Sequence, residues 1–319
     1  MTKTAVVSCM RNEGPFLLEW IAYHRAIGFD DVIVITNDCT DGSDQMLDRL
    51  AQLGIVTHIR NAVSQGDAPQ ISGMRLAMAH PIVSSADWVL HIDADEFLNV
   101  RIGSRMVEEL LEPNDFSDLI AVMWRAFGNS GKFYWRGGSV LSSFVQTQRR
   151  PRQSNAGHKS FFRTGRFGRC IDHMPKDPVS TSAICVNAKG DVISNKAIYQ
   201  PNQSRFRVAD DHLTWENACI NHYAIRSTDI FLMKNDRGDG MANRRNKYFL
   251  NSNFFKRQNK NEVFEYDILE VLPRASQELN LILQDDEVRR LDYYTLECFL
   301  ARRDEILTPD RIAEWTEAN

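Results

Sequence analysis

The sequence has no apolar run long enough to cross a membrane and no excess of either charge. No uninterrupted apolar stretch approaches the roughly 20 residues of a spanning helix, and no signal-peptide type of apolar segment follows the N-terminus. The 38 basic and 42 acidic residues give a formal net charge of −4, which disfavours a nucleic-acid partner. We therefore predict a protein without a transmembrane segment, located in the cytoplasm or peripherally at the inner membrane surface.

The sequence contains few cysteines, and their spacing argues against two kinds of cysteine site. The six cysteines form no CxxC pair, so neither a zinc site nor a dense disulfide framework is indicated. We interpret them as reduced, mostly structural thiols. They are Cys9, Cys39, Cys170, Cys185, Cys219 and Cys298.

Short β-branched runs alternate with helical patterns over the first 125 residues. This alternation is typical of a parallel sheet whose strands are connected by crossover helices. We predict strands at 4–9, 31–36, 55–59, 88–92 and 119–124, and helices at 15–26, 43–53 and 70–79, the second capped by Ser43 or Asp44. The predicted fold class is α/β: a mostly parallel sheet flanked by helices, with a helical C-terminal segment from residue 262.

The chain shows no repeat and no low-complexity linker. Its divisions are therefore places where the sequence pattern changes, and not flexible hinges. We predict an α/β half at 1–125, a second half of the same domain at 126–260, and a helical segment at 261–319. The 43% of hydrophobic residues is sufficient for a sizeable core.

Two aspartates one residue apart end the apolar run at 88–92. Ligands of open α/β sheets bind outside the carboxyl ends of the strands, where Asp93, Ala94 and Asp95 are predicted to lie. Carboxylate oxygens suit Mg²⁺ or Mn²⁺, which can bridge two phosphates. An ordinary strand exit with capping acids explains the pattern equally well. A phosphatase of the haloacid-dehalogenase type also carries DxD but requires Thr or Val where this chain has Phe97.

Polar loops follow the first, second and fourth predicted strands, and their sequences in combination suggest a family. VVSCMRNEGPFLLEWIAYHRAIGF, VIVITNDCTDGS and WVLHIDADEFL resemble the family-2-like glycosyltransferases of GT-A fold, in a bacterial subgroup with a distal His-Tyr motif. The resemblance implies that Arg11, Asn12 and Glu13 lie near a nucleotide and that Asp38 contacts its base or ribose. It also implies that Asp93, Ala94 and Asp95 form the metal and diphosphate turn.

Each of these residues also has a purely structural explanation. Glu13 fits a favourable charge at a helix N-terminus, and Asp38 fits turn chemistry. Where the family often has paired acids, this chain has Asn37 and Asp38. Gln70 and Arg75, on the helix before the fourth strand, are either diphosphate contacts or surface residues.

The distal motifs suggest a third metal ligand and a second diphosphate contact. By resemblance, His222 is the predicted ligand and Lys234 the predicted phosphate contact. Basic residues then accumulate among glycines from 234 to 260, which favours either a flexible loop closing over the diphosphate or a solvated basic face. The residues concerned are Lys234, Arg237, Gly238, Gly240, Arg244, Arg245, Lys247, Lys256, Arg257 and Lys260.

The hypothesis is a metal-dependent glycosyltransferase with Mn²⁺ or Mg²⁺ as cofactor. The donor would be a nucleoside diphosphate sugar, most simply UDP-linked, and the acceptor a hydroxyl of a glycan, lipid-linked or small molecule. Inversion requires a carboxylate base, for which the candidates are Asp172, Asp210, Asp211 and Glu216.

Two other classes of protein and one further set of residues stay open. The alternatives are a non-catalytic nucleotide-binding protein and a nucleotidyltransferase or phosphatase using the same turn. Trp124, Phe127, Tyr134 and Trp135 are either an acceptor-stacking platform or core residues.

Overall fold

The computed structural model describes residues 2–64, 66–238 and 247–316. The strands are β1 (Thr4–Met10), β2 (Asp31–Thr36), β3 (Thr57–Arg60), β4 (Trp88–His91), β5 (Glu96–Val100), β6 (Leu119–Ala126), β7 (Gln146–Thr147), β8 (His158–Arg163), β9 (Phe167–Cys170), β10 (Pro175–Pro178), β11 (Cys185–Asn187), β12 (Val192–Ile193), β13 (Ala218–His222) and β14 (Val263–Phe264). The helices are α1 (Gly14–Ala26), α2 (Ser43–Gln52), α3 (Pro69–Ala79), α4 (Pro81–Ser84), α5 (Val107–Leu111), α6 (Val140–Ser143), α7 (Lys196–Tyr199), α8 (Thr228–Arg237), α9 (Asn253–Gln258), α10 (Leu272–Ile282), α11 (Asp286–Ile306) and α12 (Pro309–Glu314).

One mixed sheet organises the molecule, in the order β12-β11-β6-β8-β4-β1-β2-β3. Strands β4, β1, β2 and β3 are all parallel, so their carboxyl ends share one edge. Strand β8 inserts antiparallel between β4 and β6, and β13 pairs with β5 and β6. The predicted α/β class, with flanking helices and a helical C-terminal region, is confirmed.

Helices cover both faces of the parallel strands, because alternate residues of a strand point to opposite faces. Val6 of β1 belongs to the core on the α1 side, which also contains Trp20. Val7 belongs to the core on the α3 side, with Met74. Burial on both faces explains the nearly continuous apolar character of these strands.

The C-terminal helices pack on the outside of the N-terminal half. Helix α1 contacts both α10 and α11, and a Cβ added at Gly14 would collide with the buried Thr295 of α11. Ion pairs of 3.1 Å between Arg25 and Glu278 and of 2.6 Å between Arg49 and Asp285 flank this contact. Within the described ranges, no helix is both long and apolar enough to cross a bilayer.

Predicted and observed elements differ mainly at their ends. The strand predicted at 55–59 begins at Thr57 because the amide of Ile55 donates to the Leu50 carbonyl at the end of α2. The predicted N-cap of α2 is wrong. Gly42 occupies it with a φ of 87°, and the Asp41 carboxylate, rather than an N-cap side chain, accepts from the Ser43 amide.

Candidate functional site

A cavity of about 920 Å³ lies where β1, β2 and β4 end. The chain after β4 forms the Asp93-Ala94-Asp95 turn and immediately re-enters the sheet as β5. The edge of parallel strands is therefore a concave, polar surface, as expected of a ligand site in an α/β sheet. Its charged lining residues are Arg11, Glu13, Asp93, Asp95, Arg169, Asp172, Arg205, Lys234, Arg237, Lys247 and Arg257.

The first aspartate of the turn faces a completely buried lysine. The Nζ of Lys159, on β8, lies 3.1 Å from Asp93 Oδ2, 2.8 Å from Asp172 Oδ1 and 3.6 Å from Glu96 Oε2. The side-chain amide of Gln70 donates to both Asp93 (2.9 Å) and Asp172 (3.0 Å). These contacts bring together residues from α3, β8 and two loops around one cation.

Burial and mutual repulsion shape the charges of this group. Burial, opposed by Lys159, raises the pKa of Asp93 to about 6. Burial also raises the pKa of Glu96 well above its ordinary value. Burial raises the pKa of Asp172 as well, but Lys159 outweighs it and holds that pKa far below its usual range. Asp172 is therefore a carboxylate at neutral pH.

The second aspartate faces a different buried lysine. Asp95 Oδ2 lies 2.7 Å from the Nζ of Lys234, on α8, which also donates to the Ala224 carbonyl. Although burial raises the pKa of Asp95, Lys234 and His222 lower it below its usual range. The predicted neighbours Asp95, His222 and Lys234 are thus brought together, from segments far apart in the chain.

The donor set of the turn fits a divalent cation in part. His222 Nε2 lies 3.7 Å from Asp95 Oδ1, and its Nδ1 is buried without a partner. Burial lowers the pKa of His222 to about 3, so the imidazole is neutral, the form that ligates metals. Within the part of the chain that the structure describes, however, no group of three acidic, His or Cys side chains is arranged to hold a metal ion. Other ligands of a cation would have to come from a bound molecule.

An indole ring covers the histidines of the site. The ring of Trp124 lies 4.3 Å from that of His222 and 5.2 Å from that of His173, between centroids. Of the four aromatic residues considered for an acceptor platform, Trp124 alone lines the cavity among the described residues. Phe127 and Trp135 are buried core residues, and Tyr134 is exposed away from the cavity.

The residues after β1 divide between the cavity and the scaffold. Arg11 lines the cavity, and its Nε donates to the Asp38 carbonyl at 3.3 Å. Asn12, at a φ of 52°, exchanges two hydrogen bonds with Thr40, which tie the first loop to the second. Glu13 is buried, 3.1 Å from Arg226, and also pairs with Arg237. Its carboxylate therefore neutralises the buried Arg226 and the half-buried Arg237.

The loop after β2 contains Asp38, the predicted contact, and its neighbour Asn37, for which no role was predicted. Asp38 is exposed at a φ of 47°, and its carboxylate accepts from the side-chain amide of Asn37. Asn37, and not Asp38, is among the cavity-lining residues.

Several predicted site residues lie away from the cavity. Arg75 is exposed and 3.9 Å from Asp67. Asp210 accepts from Gln153, and it shares an exposed 3-10 turn with Asp211. Glu216 pairs with Lys189 at the surface. Among the four candidate bases, Asp172 is the one that lines the cavity.

The basic segment is only partly described. Lys234, Arg237, Lys247 and Arg257 line the cavity. Arg244, Arg245 and Gly240 lie outside the described residues.

Two central cations were given no role by the sequence interpretation. Lys159 lies in HKSFFR, where the neighbouring pair Phe161 and Phe162 indicates a buried strand, and a lysine in such a strand is a signal of a buried ion pair. Arg226 is 1% exposed and bonds both Glu13 and the Ala94 carbonyl. It therefore connects the first loop to the carboxylate turn.

Comparison with known proteins identifies the family. Residues 5–235 match the model of glycosyltransferase family 92. A family 92 protein of Ricinus communis is 26% identical over 134 residues, 40% of this chain and 23% of that protein. One of Oryza sativa subsp. japonica is 29% identical over 133 residues, 40% of this chain and 22% of that protein. The chain thus matches less than a quarter of the length of these curated relatives.

Solved structures show a weaker likeness. S. aureus TarS 1-349 is 12% identical, with a TM-score of 0.35 over 86% of this chain and 72% of that chain. The same protein in complex with UDP is 14% identical, with a TM-score of 0.34 over 51% of this chain and 47% of that chain. Glucosyl-3-phosphoglycerate synthase from Mycobacterium tuberculosis, with Mn²⁺ and UDP, is 18% identical, with a TM-score of 0.28 over 39% of this chain and 44% of that chain. We carry no function across from these structures.

The family match confirms the predicted glycosyltransferase class but gives family 92 where the motifs resemble family 2. The matched range contains the loop after β1, the carboxylate turn, Lys159, His222 and Lys234. Because this range is well over half of the 319 residues, the protein belongs to glycosyltransferase family 92.

Proposed function

We propose that the protein transfers a sugar from a nucleoside diphosphate sugar, most simply UDP-linked, to an acceptor hydroxyl. The observation that carries the proposal is the pairing of two acidic turn residues with two buried lysines at a cavity of about 920 Å³. A site of this size and polarity suits a nucleotide sugar. Membership of family 92 supports the same reaction.

The donor would bind along the edge formed by β1, β2 and β4. Asn37, which lines the cavity, and Asp38, next to it in the same loop, would contact the base or ribose, and Arg11 and Lys234 would supply positive charge for the diphosphate. Gln70 orients Asp93 through its 2.9 Å hydrogen bond. Asn12 and Glu13 act indirectly in this scheme, by fixing the two loops and by pairing with Arg226.

Mn²⁺ or Mg²⁺ would be held by Asp95 and His222, with Asp93 beside them and phosphate oxygens as further ligands. The neutral imidazole and the nearby carboxylate are suitable donors. Such a cation would neutralise negative charge on the departing diphosphate. Lys234 contributes charge at the same place, since it already contacts Asp95 at 2.7 Å.

Asp172 is the proposed base for an inverting reaction. It lines the cavity and is ionised at neutral pH, so it can accept the proton of an acceptor hydroxyl as that oxygen bonds to the sugar, although Lys159 lowers its basicity. Its Oδ2 lies 3.1 Å from His173, whereas its Oδ1 is held by Lys159 and Gln70. The proton would therefore go to Oδ2.

The acceptor would be a glycan, a lipid-linked molecule or a small molecule. A cytoplasmic or peripheral membrane location remains a prediction, as does membership of the bacterial subgroup with the His-Tyr motif. The basic segment from Lys234 to Lys247 would close over the bound diphosphate and exclude water. Lys256 and Arg257 belong instead to helix α9, which Asn155 holds through the Arg257 carbonyl.

Titration calorimetry with UDP tests the donor site. The experiment compares the native protein with Asp93→Asn/Asp95→Asn, each with Mn²⁺ and with EDTA. We expect UDP binding that requires Mn²⁺ and is lost in the double variant. Asp210→Asn/Asp211→Asn, outside the cavity, is the matched control and should bind like the native protein. Absence of UDP binding to the native protein with Mn²⁺ would refute the donor-site proposal.

Turnover separates an enzyme from a binding protein. Release of UDP from UDP-sugars, measured with a panel of acceptors, is expected for a transferase. Mn²⁺-dependent UDP binding with no release from any donor and acceptor pair would favour the non-catalytic alternative.

A further inference from the structure

We infer that a wall of the cavity outside the loops that follow β1, β2 and β4 binds an anionic group of the acceptor, a carboxylate or a phosphate, through Arg205 and Arg257. We call this surface the distal wall, and it consists of residues 153–157 with Arg205 and Arg257. The inference rests on the proposed function, which supplies the donor and the reacting hydroxyl, and it names the chemical class of the acceptor.

Hydrogen bonds make the distal wall one unit. The side-chain amide of Asn155 donates to the Arg257 carbonyl at 2.7 Å, and that of Gln153 donates to the Val208 carbonyl at 2.9 Å. The Gly157 carbonyl accepts from the Trp124 amide at 2.8 Å. Residues 153–157 therefore fix the segments that carry both arginines and join them to the indole that covers His222.

The charge of the distal wall is not balanced within the protein. Elsewhere around the cavity, Lys234 pairs with Asp95, Arg237 with Glu13 and Arg169 with Asp177.

Arg205 and Arg257, by contrast, have no acidic group within 4.0 Å in the described ranges. The one side-chain hydrogen bond recorded for Arg257 there goes from Nε to the Asn253 carbonyl, at 3.3 Å. Two exposed guanidinium groups therefore face the cavity with donors available to a ligand.

The position of Arg205 assigns this charge to the acceptor side. The backbone amide of Phe206, next to Arg205 in the chain, donates to His158 Nε2 at 3.0 Å, and the ring of His158 lies 6.1 Å from that of His173, between centroids. Burial is the main reason that the pKa of His173 falls to about 4, and the positive charge of Arg205 contributes in the same direction. His173 in turn lies 3.1 Å from Asp172, the proposed base. An anion held by Arg205 would thus place its molecule beside the carboxylate that takes the hydroxyl proton. The donor contacts, Arg11 and Lys234, belong to other elements, the loop after β1 and helix α8.

Guanidinium groups match the geometry of carboxylates and phosphates, since their planar forks donate two parallel hydrogen bonds. A neutral sugar offers no charge to compensate these two arginines. The acceptor class is therefore an acidic sugar or a sugar phosphate, and the structure assigns the shared anionic chemistry to the site.

Three probes test the inference by calorimetry on the protein saturated with UDP and Mn²⁺, so that the donor site is filled. They are D-glucuronate for a carboxylate, D-glucose 6-phosphate for a phosphate, and D-glucose as the neutral reference. We expect at least one anionic probe to bind about tenfold more tightly than glucose, as charge-assisted hydrogen bonds imply. Comparison of the two anions identifies which of them the site prefers.

Arg205→Gln/Arg257→Gln should abolish the preference for the anion and leave UDP affinity unchanged. Arg207→Gln/Lys256→Gln, which removes two neighbouring exposed charges that do not line the cavity, should retain it.

Two outcomes would overturn the inference. One is equal binding of all three probes to the UDP-loaded protein, which leaves the donor-site proposal intact. The other is a loss of UDP affinity in Arg205→Gln/Arg257→Gln, which would assign the arginines to the donor diphosphate. If the native protein does not bind UDP in the first place, the proposed function itself fails, which is a distinguishable result.

Discussion

The Nζ of Lys159 lies 2.8 Å from the Oδ1 of Asp172 and 3.1 Å from the Oδ2 of Asp93. The lysine is completely buried, and three carboxyl groups surround it. Desolvation alone would lower the pKa of Lys159, but Asp172, Asp93 and Glu96 raise it well above its ordinary value. The positive charge of Lys159 therefore offsets the free-energy cost of burying these carboxyl groups.

Lys159→Met should lower the free energy of unfolding by about 3–5 kcal/mol, because it leaves buried carboxylates without their counter-ion. Urea denaturation at neutral pH measures this change. Lys189→Met, which removes a surface ion pair with Glu216, is the control and should leave the transition midpoint unchanged. Equal midpoints for the native protein and Lys159→Met would contradict the structural role of Lys159.

His222→Gln should weaken Mn²⁺-dependent UDP binding at least about tenfold, because it removes the neutral nitrogen beside Asp95. Calorimetry with UDP and graded Mn²⁺ measures the change. His212→Gln, outside the cavity, should match the native protein. Undiminished Mn²⁺ dependence in His222→Gln would remove His222 from the cation site.

Asp172→Asn should reduce kcat by a factor of about 10²–10⁴, the usual contribution of a general base. Donor KM should change little, since Asp172 is proposed to act on the acceptor. Steady-state kinetics with a UDP-sugar separate the two constants, and Asp211→Asn serves as the control. A variant with native kcat would exclude Asp172 as the base.

Gly157→Ala should impair the site without touching a charged residue. The added Cβ would collide with the Trp124 ring, which stacks against His222. We expect reduced Mn²⁺-dependent UDP affinity with retained secondary structure, measured by calorimetry and circular dichroism. At Gly168 the nearest atom to an added Cβ is 3.3 Å away, so Gly168→Ala is the milder reference. Native UDP affinity in Gly157→Ala would show that the Trp124 position is not needed.

Stability should fall as the pH is lowered from 6.5 towards 3. Burial lowers the pKa of His24, His91 and His222 to about 3 and that of His173 to about 4. In this window the unfolded chain binds protons at these histidines that the folded protein excludes, so each histidine makes the free energy of unfolding rise with pH. The pKa of Asp93, raised to about 6, acts in the opposite direction in part of the same window. The slope is up to about 1.4 kcal/mol per pH unit for each histidine.

Urea denaturation at pH 7.5, 6.5, 5.5 and 4.5 measures this slope. His24 does not line the cavity, and its Nδ1 is hydrogen-bonded to the Trp20 carbonyl at 2.8 Å. His24→Gln should therefore reduce the slope while the cavity histidines stay intact. A His24→Gln variant with the native slope between pH 7.5 and 4.5 would contradict the buried neutral state of His24.

The sequence by itself determined the local structure and the sharpest part of the site. The sequence predicts the strand at 31–36 with its observed bounds and the end of α3 at Ala79, whereas Pro69, which it assigns to the preceding loop, is the first residue of that helix. The Asp93-Ala94-Asp95 turn was predicted at the carboxyl edge because parallel strands share one edge. The spacing of apolar residues and the common direction of parallel strands are sufficient for such predictions.

Only the tertiary structure decided which side chains meet there. Gln70 and Asp172 are 102 positions apart and Asp95 and Lys234 are 139 apart, yet each pair is in hydrogen-bond contact. No local pattern encodes such distances. They follow from the insertion of β8 beside β4, which buries Lys159 where burial of one charge requires the opposite charge nearby. The same arrangement of strands places Asp172, and not Asp211, in the wall of the cavity.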